Sequence, residues 1–217
     1  MTNWEKSKKT RDWRNCLGFE LNNEDYEWLK AECWKAKDSG DKANAELAGH
    51  IKEEYKIPGI TESLNKFIIE GCYKHVEAEK LSFLTENKPL TLSNFWCNFQ
   101  KKYEFNPPHD HSGLFSFVIF ITIPYNLREE EKYFVDIAEK VAEGEENSLK
   151  IYTSKFAFAN TLYDGQVAHD VLNVDKSFEG KMILFSAKQV HQVFPFFTSD
   201  DYRITVSGNV TFWVEDK

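Results

Sequence analysis

The chain has 217 residues, 41% of them hydrophobic, and a formal net charge of −8. That length allows one large domain with a substantial core. The acidic balance disfavours a general nucleic-acid binder, whose affinity comes from neutralising phosphates, and no apolar run is long enough to span a membrane.

The N-terminus, MTNWEKSKKTRDWRN, is basic without an apolar signal core and reads as a solvated end. Cys16, Cys33, Cys72 and Cys97 show no metal-ligand spacing, so they read as reduced thiols of a cytoplasmic protein. NNEDYEWLKAECWKAK predicts a first helix, acidic at its start and basic at its end, with Tyr26, Leu29, Cys33 and Trp34 on its apolar stripe. After a Ser-Gly break, DKANAELAGHIKEEY predicts a second helix, stopped by Pro58-Gly59. TESLNKFIIEGCYKHVEAEK predicts a third, capped by Thr61, with Leu64, Phe67, Ile68, Cys72 and Val76 on one face.

From about residue 88 the spacing changes to alternation. LTLSNFWCNFQKKYEF is aromatic-rich, and GLFSFVIFITIPY is apolar on both faces, as a strand covered on both sides would be. EEEKYFVDIAEKVAEGEENS is a charged excursion with partial helical character. LKIYTSKFAFANTLY, KMILFSAKQVHQVFPF and YRITVSGNVTFWV are further β segments, with YDGQVAHDVLN read as a polar loop. The predicted class is α+β, mainly β: a jelly roll with N-terminal helices packed on one outer face. One domain is expected over 1–217, with a helical part over 1–87 and the β core over 88–217.

His109 and His111 stand two residues apart, so on a strand both imidazoles face one way and Asp110 the other. Imidazole suits iron, zinc, copper or nickel. His191, after the apolar stretch KMILF, is the candidate third ligand; a core histidine is the alternative. Arg203 follows twelve residues later, with Thr205 on the same face. A buried guanidinium needs an anion, and a fork plus a hydroxyl suit one carboxylate. Asn98 and Tyr103 lie on the strand before the H-x-H pair, where core or edge roles and hydrogen bonding to a ligand both stand open.

The pattern H-x-H (109–111), distal His191, then R-x-T (203–205) resembles the Fe(II)/2-oxoglutarate-dependent oxygenase superfamily, whose fold is the double-stranded β-helix. It is closer to a subgroup of marine bacteria and their phages, through ELAGHIKEEY, NFWCNFQKKYEFNPPHDHSG and VHQVFPFFTSDDYRITVSGN. The superfamily motif is H-x-D…H, so His111 stands where a carboxylate is usual. Asp110 is the alternative ligand, or a partner to a ligand imidazole.

The resemblance implies Fe(II) held by His109, His111 and His191, with nickel or zinc expected to replace iron in crystals. It implies 2-oxoglutarate with its far carboxylate on Arg203 and Thr205, and oxidation of a C–H bond in an unidentified small molecule or protein side chain. Two rivals stand beside this: a cupin-like three-histidine dioxygenase that needs no 2-oxoglutarate, and a non-enzymatic jelly-roll binding or virion-associated module. Oligomeric state leaves no mark in the sequence.

Overall fold

The computed structural model describes residues 16–47, 49–80, 88–133, 153–162 and 164–213. In chain order these form β1 (Cys16–Glu20), α1 (Asn23–Ser39), β2 (Glu54–Lys56), α2 (Glu62–Ala78), β3 (Leu90–Gln100), β4 (Asn106–His109), β5 (Phe115–Thr122), β6 (Phe156–Thr161), β7 (Val167–Leu172), β8 (Lys181–Ser186), β9 (His191–Val193) and β10 (Arg203–Phe212). The strands make two antiparallel sheets, β1-β8-β5-β10-β3-β2 and β4-β9-β6-β7. From β3 onward the chain crosses repeatedly from one sheet to the other, which is the winding of a jelly roll, or double-stranded β-helix. No helix among the described residues is long and apolar enough to cross a membrane.

Strand alternation gives the larger sheet two different faces. Cys97 and Phe99 of β3, Phe117, Ile119 and Ile121 of β5, Met182 and Leu184 of β8, and Ile204 and Val206 of β10 point outward. There they pack with Leu29 and Cys33 of α1 and Leu64, Phe67, Ile68 and Cys72 of α2. Each fully buried side chain of this kind stabilises the fold by about 1.5–3 kcal/mol. Val118, Phe120, Ile183 and Phe185 point inward, against Phe156 and Phe158 of the smaller sheet. This is why GLFSFVIFITIPY is apolar at every step: β5 is covered by helices on one side and by a sheet on the other.

The helix ends follow their sequence signals. Asn22 Oδ1 accepts from Asp25 N at 2.8 Å and Thr61 Oγ1 from Leu64 N at 3.1 Å, so each caps a first turn. Gly40, at φ 75°, closes α1. The stripe on α1 differs in one residue. Ala36 is buried where Trp34 was expected, and Trp34 lies on the outer edge of the packed face.

Two expectations are corrected, and one element is new. The stretch 41–55 is not a helix: it holds a short helical turn at Asn44–Glu46, and Glu54–Lys56 pairs with β3. Its Ala, Glu and Lys are good helix formers, but propensity is small per residue and pairing to a sheet edge outweighs it. Cys16–Glu20 forms a strand on β8, although that stretch carried no assigned element. The segment read as a loop around His169 is β7, paired with β6 over its whole length. The charged excursion is helical over 127–133. Its remainder, 134–148, lies outside the described residues, as does the basic N-terminus, 1–15.

Candidate metal centre

His109 ends β4 and stands opposite His191, the first residue of β9. His111 lies just past β4, where its N–H donates to Ala187 O at 2.8 Å. Pairing is irregular across Pro107-Pro108, so both histidines face inward although only the first sits on a strand. The ring centroids of His109, His111 and His191 are 4.3–5.0 Å apart, and one nitrogen from each lies within 4.8 Å of the others. His111 Nε2 and His191 Nε2 are 3.3 Å apart. Two ligands of one first-row ion, each about 2.1 Å from it, have that separation at a bond angle near 100°.

The backbone sets which nitrogen faces the centre. His109 Nδ1 donates to Pro107 O at 2.7 Å and His191 Nδ1 to Gln189 O at 3.0 Å, which leaves both Nε2 lone pairs pointing inward. Burial holds the pKa of His109 low and that of His191 well below the usual range. Burial, then the neighbouring His109, pushes His111 down to about 4. All three imidazoles are therefore neutral near pH 7, the state that ligates a metal. Phe156 stacks on His191 at 5.3 Å and Phe185 meets it edge-on at 4.8 Å, giving that ligand a dry wall.

Asp110 does not join the group. Its carboxylate pairs with Lys188 at 3.4 Å on the exposed side, and Lys188 also donates to His111 O at 2.9 Å. The donor set that converges is three imidazoles without a carboxylate.

These histidines, with Arg203, Thr205 and Asn98, line one cavity. Arg203 opens β10 and is 2% exposed. Its five N–H groups all meet neutral acceptors. Nε and Nη2 donate to Gln100 Oε1 at 2.9 and 2.6 Å. Nη1 donates to Tyr125 OH at 3.1 Å and Ser154 O at 2.9 Å, and Nη2 to Phe194 O at 2.8 Å. The Gln100 oxygen thus sits on the edge of the fork that a carboxylate would take. Beside it, Trp96 Nε1 donates to Asn98 Oδ1 at 3.1 Å, and Asn98 Nδ2 donates to Thr205 Oγ1 at 3.0 Å. Asn98 is therefore committed to its neighbours, and the Thr205 hydroxyl keeps its proton for the cavity.

Tyr103 is not brought to the site. The strand ends at Gln100, Tyr103 sits in a turn at φ 71°, and its ring is 56% exposed against Phe197. The left-handed turn swings its side chain outward. His169 is exposed, and His50 stacks on Phe105 at 4.7 Å. Phe196 is core beneath the Arg203 guanidinium.

Several site residues were missed. Gln100 was findable, since it continues the i, i+2 face of Trp96 and Asn98. Glu54 lines the cavity 2% exposed, opposite Asn98 in the sheet register. It was hidden by the mistaken helix. Glu130 is fully buried and accepts from Phe197 N, Thr198 N and Thr153 Oγ1, fastening the loop between β9 and β10. Nothing in its charged surroundings marks it.

No protein-family model matches the chain, and no curated protein matches it. Solved structures do. The non-heme alpha ketoglutarate dependent carbocyclase SnoK of nogalamycin biosynthesis is 12% identical, with 97% of this chain and 86% of that one covered, at a TM-score of 0.53. OsALKBH1 is 11% identical over 90% and 97%, at 0.52. A prolyl-4-hydroxylase of Pseudomonas putida is 16% identical over 91% of each chain, at 0.47. The fold is thus the double-stranded β-helix found in the SnoK carbocyclase and OsALKBH1, as the H-x-H…H…R-x-T pattern led us to expect.

Proposed function

We propose that this chain is an Fe(II)- and 2-oxoglutarate-dependent oxygenase, acting in the cytoplasm as a single domain over residues 1–217. The observation that carries the reading is the convergence of three neutral imidazoles in one cavity with a buried arginine. The likeness to SnoK supports it through the shared fold. His109, His111 and His191 would hold the iron, their inward lone pairs fixed by the Pro107 and Gln189 carbonyls. Arg203 and Thr205 would hold the far carboxylate of 2-oxoglutarate, once Gln100 Oε1 leaves the Arg203 fork. A carboxylate is a stronger acceptor for a guanidinium than an amide oxygen, which favours that exchange. Iron and cosubstrate, when bound, supply oxidation of a C–H bond. The chain supplies position, a neutral donor set and a wall of Phe156, Phe158 and Phe185 that keeps water off the buried side. The substrate is a small molecule or a protein side chain.

One observation favours a second reading. Asp110 is turned away to Lys188, and every N–H of Arg203 has a partner without 2-oxoglutarate. A three-histidine dioxygenase that uses no 2-oxoglutarate would need neither group for a cosubstrate. Iron content and anaerobic spectra separate the two. The oxygenase reading expects bound iron and a weak visible band when 2-oxoglutarate is added to the Fe(II) protein. Iron without that band supports the second reading, and absence of iron binding contradicts both.

A further inference from the structure

We infer that the substrate of this site carries an ammonium group, held by Glu54 and Asn106 at the end of the cavity away from Arg203. This rests on the oxygenase reading for the rest of the site and extends it to the class of substrate.

Sheet register lays out the cavity floor. Glu54 of β2 faces Asn98 of β3, which faces Thr205 of β10, and Gln100 faces Arg203 one step along. Two strand spacings, about 9–10 Å, therefore separate the backbones that carry Glu54 and Thr205. The floor has a fixed positive charge toward Arg203 and a carboxyl group toward Glu54. The cosubstrate, an anion, belongs at the first. The second would repel it and suits a cation.

Glu54 is short of donors. Its Oε2 accepts from Asn44 Nδ2 at 3.0 Å. No residue among those described donates to Oε1, and no lysine, arginine or histidine among them forms an ion pair with this carboxyl. A buried carboxylate with one donor is poorly compensated. Burial, then the nearby Glu104, pushes its pKa up to about 7. Asn106 lines the same cavity, and its buried Oδ1 has no hydrogen-bond partner among the described residues. It packs over Gly49, at φ 146°, where any Cβ would strike that oxygen. Acceptors without donors call for a ligand rich in N–H groups, and an ammonium brings both protons and charge.

The route to the metal ligands fits such a molecule. The Trp96 ring lines the same cavity, 5.9 Å from the His111 ring. An aromatic wall accommodates the methylenes next to an ammonium and attracts the charge itself. With its nitrogen at Glu54, a substrate would present carbon, not nitrogen, to the three imidazoles.

The test uses n-pentylammonium and 1-pentanol, which differ in the charged donor. Each is titrated calorimetrically into the metal-free protein and into the anaerobic Fe(II)/2-oxoglutarate protein. We expect the ammonium to bind wild type at least about tenfold more tightly than the alcohol. In Glu54→Gln that preference should fall about tenfold, with Fe(II) affinity unchanged. Equal binding of the two probes to wild type would overturn the inference even if the variant failed to fold, and so would an unchanged preference in a folded Glu54→Gln. Failure of the oxygenase reading is seen separately, as a missing 2-oxoglutarate band. The metal-free titration judges Glu54 whichever way that band behaves.

Discussion

The two faces of the six-stranded sheet are made by the same strands and follow different rules. Outward, β3, β5, β8 and β10 present Cys97, Phe99, Ile119, Leu184 and Val206 to the helices. Inward, β3 and β10 present Trp96, Asn98, Gln100, Arg203, Thr205 and Ser207 to a cavity. The outer face gains stability from burying apolar area. The inner face buries polar groups, each of which costs free energy unless a partner is found. Its partners are chained: Trp96 to Asn98, Asn98 to Thr205, Gln100 to Arg203. A face that bears this cost along two strands is built to hold a ligand. The outer face holds the sheet.

If that contrast is right, damage to the cavity and damage to the outer face should read out differently. The largest effect is expected from His191→Ala, which removes the most buried imidazole of the three. Fe(II) affinity, measured by anaerobic titration, should fall about a hundredfold or more, given that losing even a residue that supports a ligand costs about 10–100-fold. The melting temperature without metal should move little. Leu184→Ala, on the outer face, should do the reverse. Denaturant unfolding should show a loss of about 2–5 kcal/mol, with Fe(II) affinity retained in the folded protein.

Gln100→Glu sharpens the inner face itself. It places a carboxylate on the Arg203 fork in the position now taken by Gln100 Oε1. 2-Oxoglutarate binding, followed by its visible band, should weaken about 10–100-fold, since a charged partner binds a guanidinium roughly twice as strongly as a neutral one. Metal binding should stay as it is. An unchanged cosubstrate affinity would mean that the fork is not its site.

The smallest expected effect tests an exception on the outer side. His75 of α2 is buried beside Phe115, with Nδ1 lacking a hydrogen-bond partner among the described residues. Burial lowers its pKa from the ordinary value near 6.5. The unfolded chain therefore binds a proton below that pH that the folded chain refuses, and stability falls as pH drops through it. His75→Leu should stabilise the protein by about 1 kcal/mol near pH 8. The gain should be larger at pH 5, where the wild type alone bears the proton penalty. Chemical denaturation at the two pH values reads both.

Much of this contrast was legible in the residues. The change from 3–4 spacing to alternation near residue 88 marks where helices give way to the main strands, and β5 shows its double burial in every residue. The H-x-H pair, His191 and R-x-T lie on or beside three strands, β4, β9 and β10, and strand parity puts Arg203 and Thr205 on one face. What escaped has physical causes. Glu54 lies in DKANAELAGHIKEEY, where helix propensity points one way and pairing to a sheet edge decides the other. Tyr103 follows the strand in sequence but sits in a turn whose positive φ reverses its direction. Whether His111 or Asp110 turns inward depends on the irregular backbone after two prolines, and in the fold Lys188 draws Asp110 outward. Glu130 is a charge among charges, and only the folded loop gives it four donors.

The account's central claim is that the cavity holds iron on three histidines and an anion on Arg203. A crystal structure of the protein grown anaerobically with Fe(II) and 2-oxoglutarate tests it most directly. We expect iron, identified by anomalous scattering at its edge, on His109, His111 and His191. We also expect the far carboxylate of 2-oxoglutarate on Arg203 and Thr205, with the Gln100 amide displaced from the fork. Iron bound elsewhere, or 2-oxoglutarate bound away from Arg203 with Gln100 still in place, would contradict it.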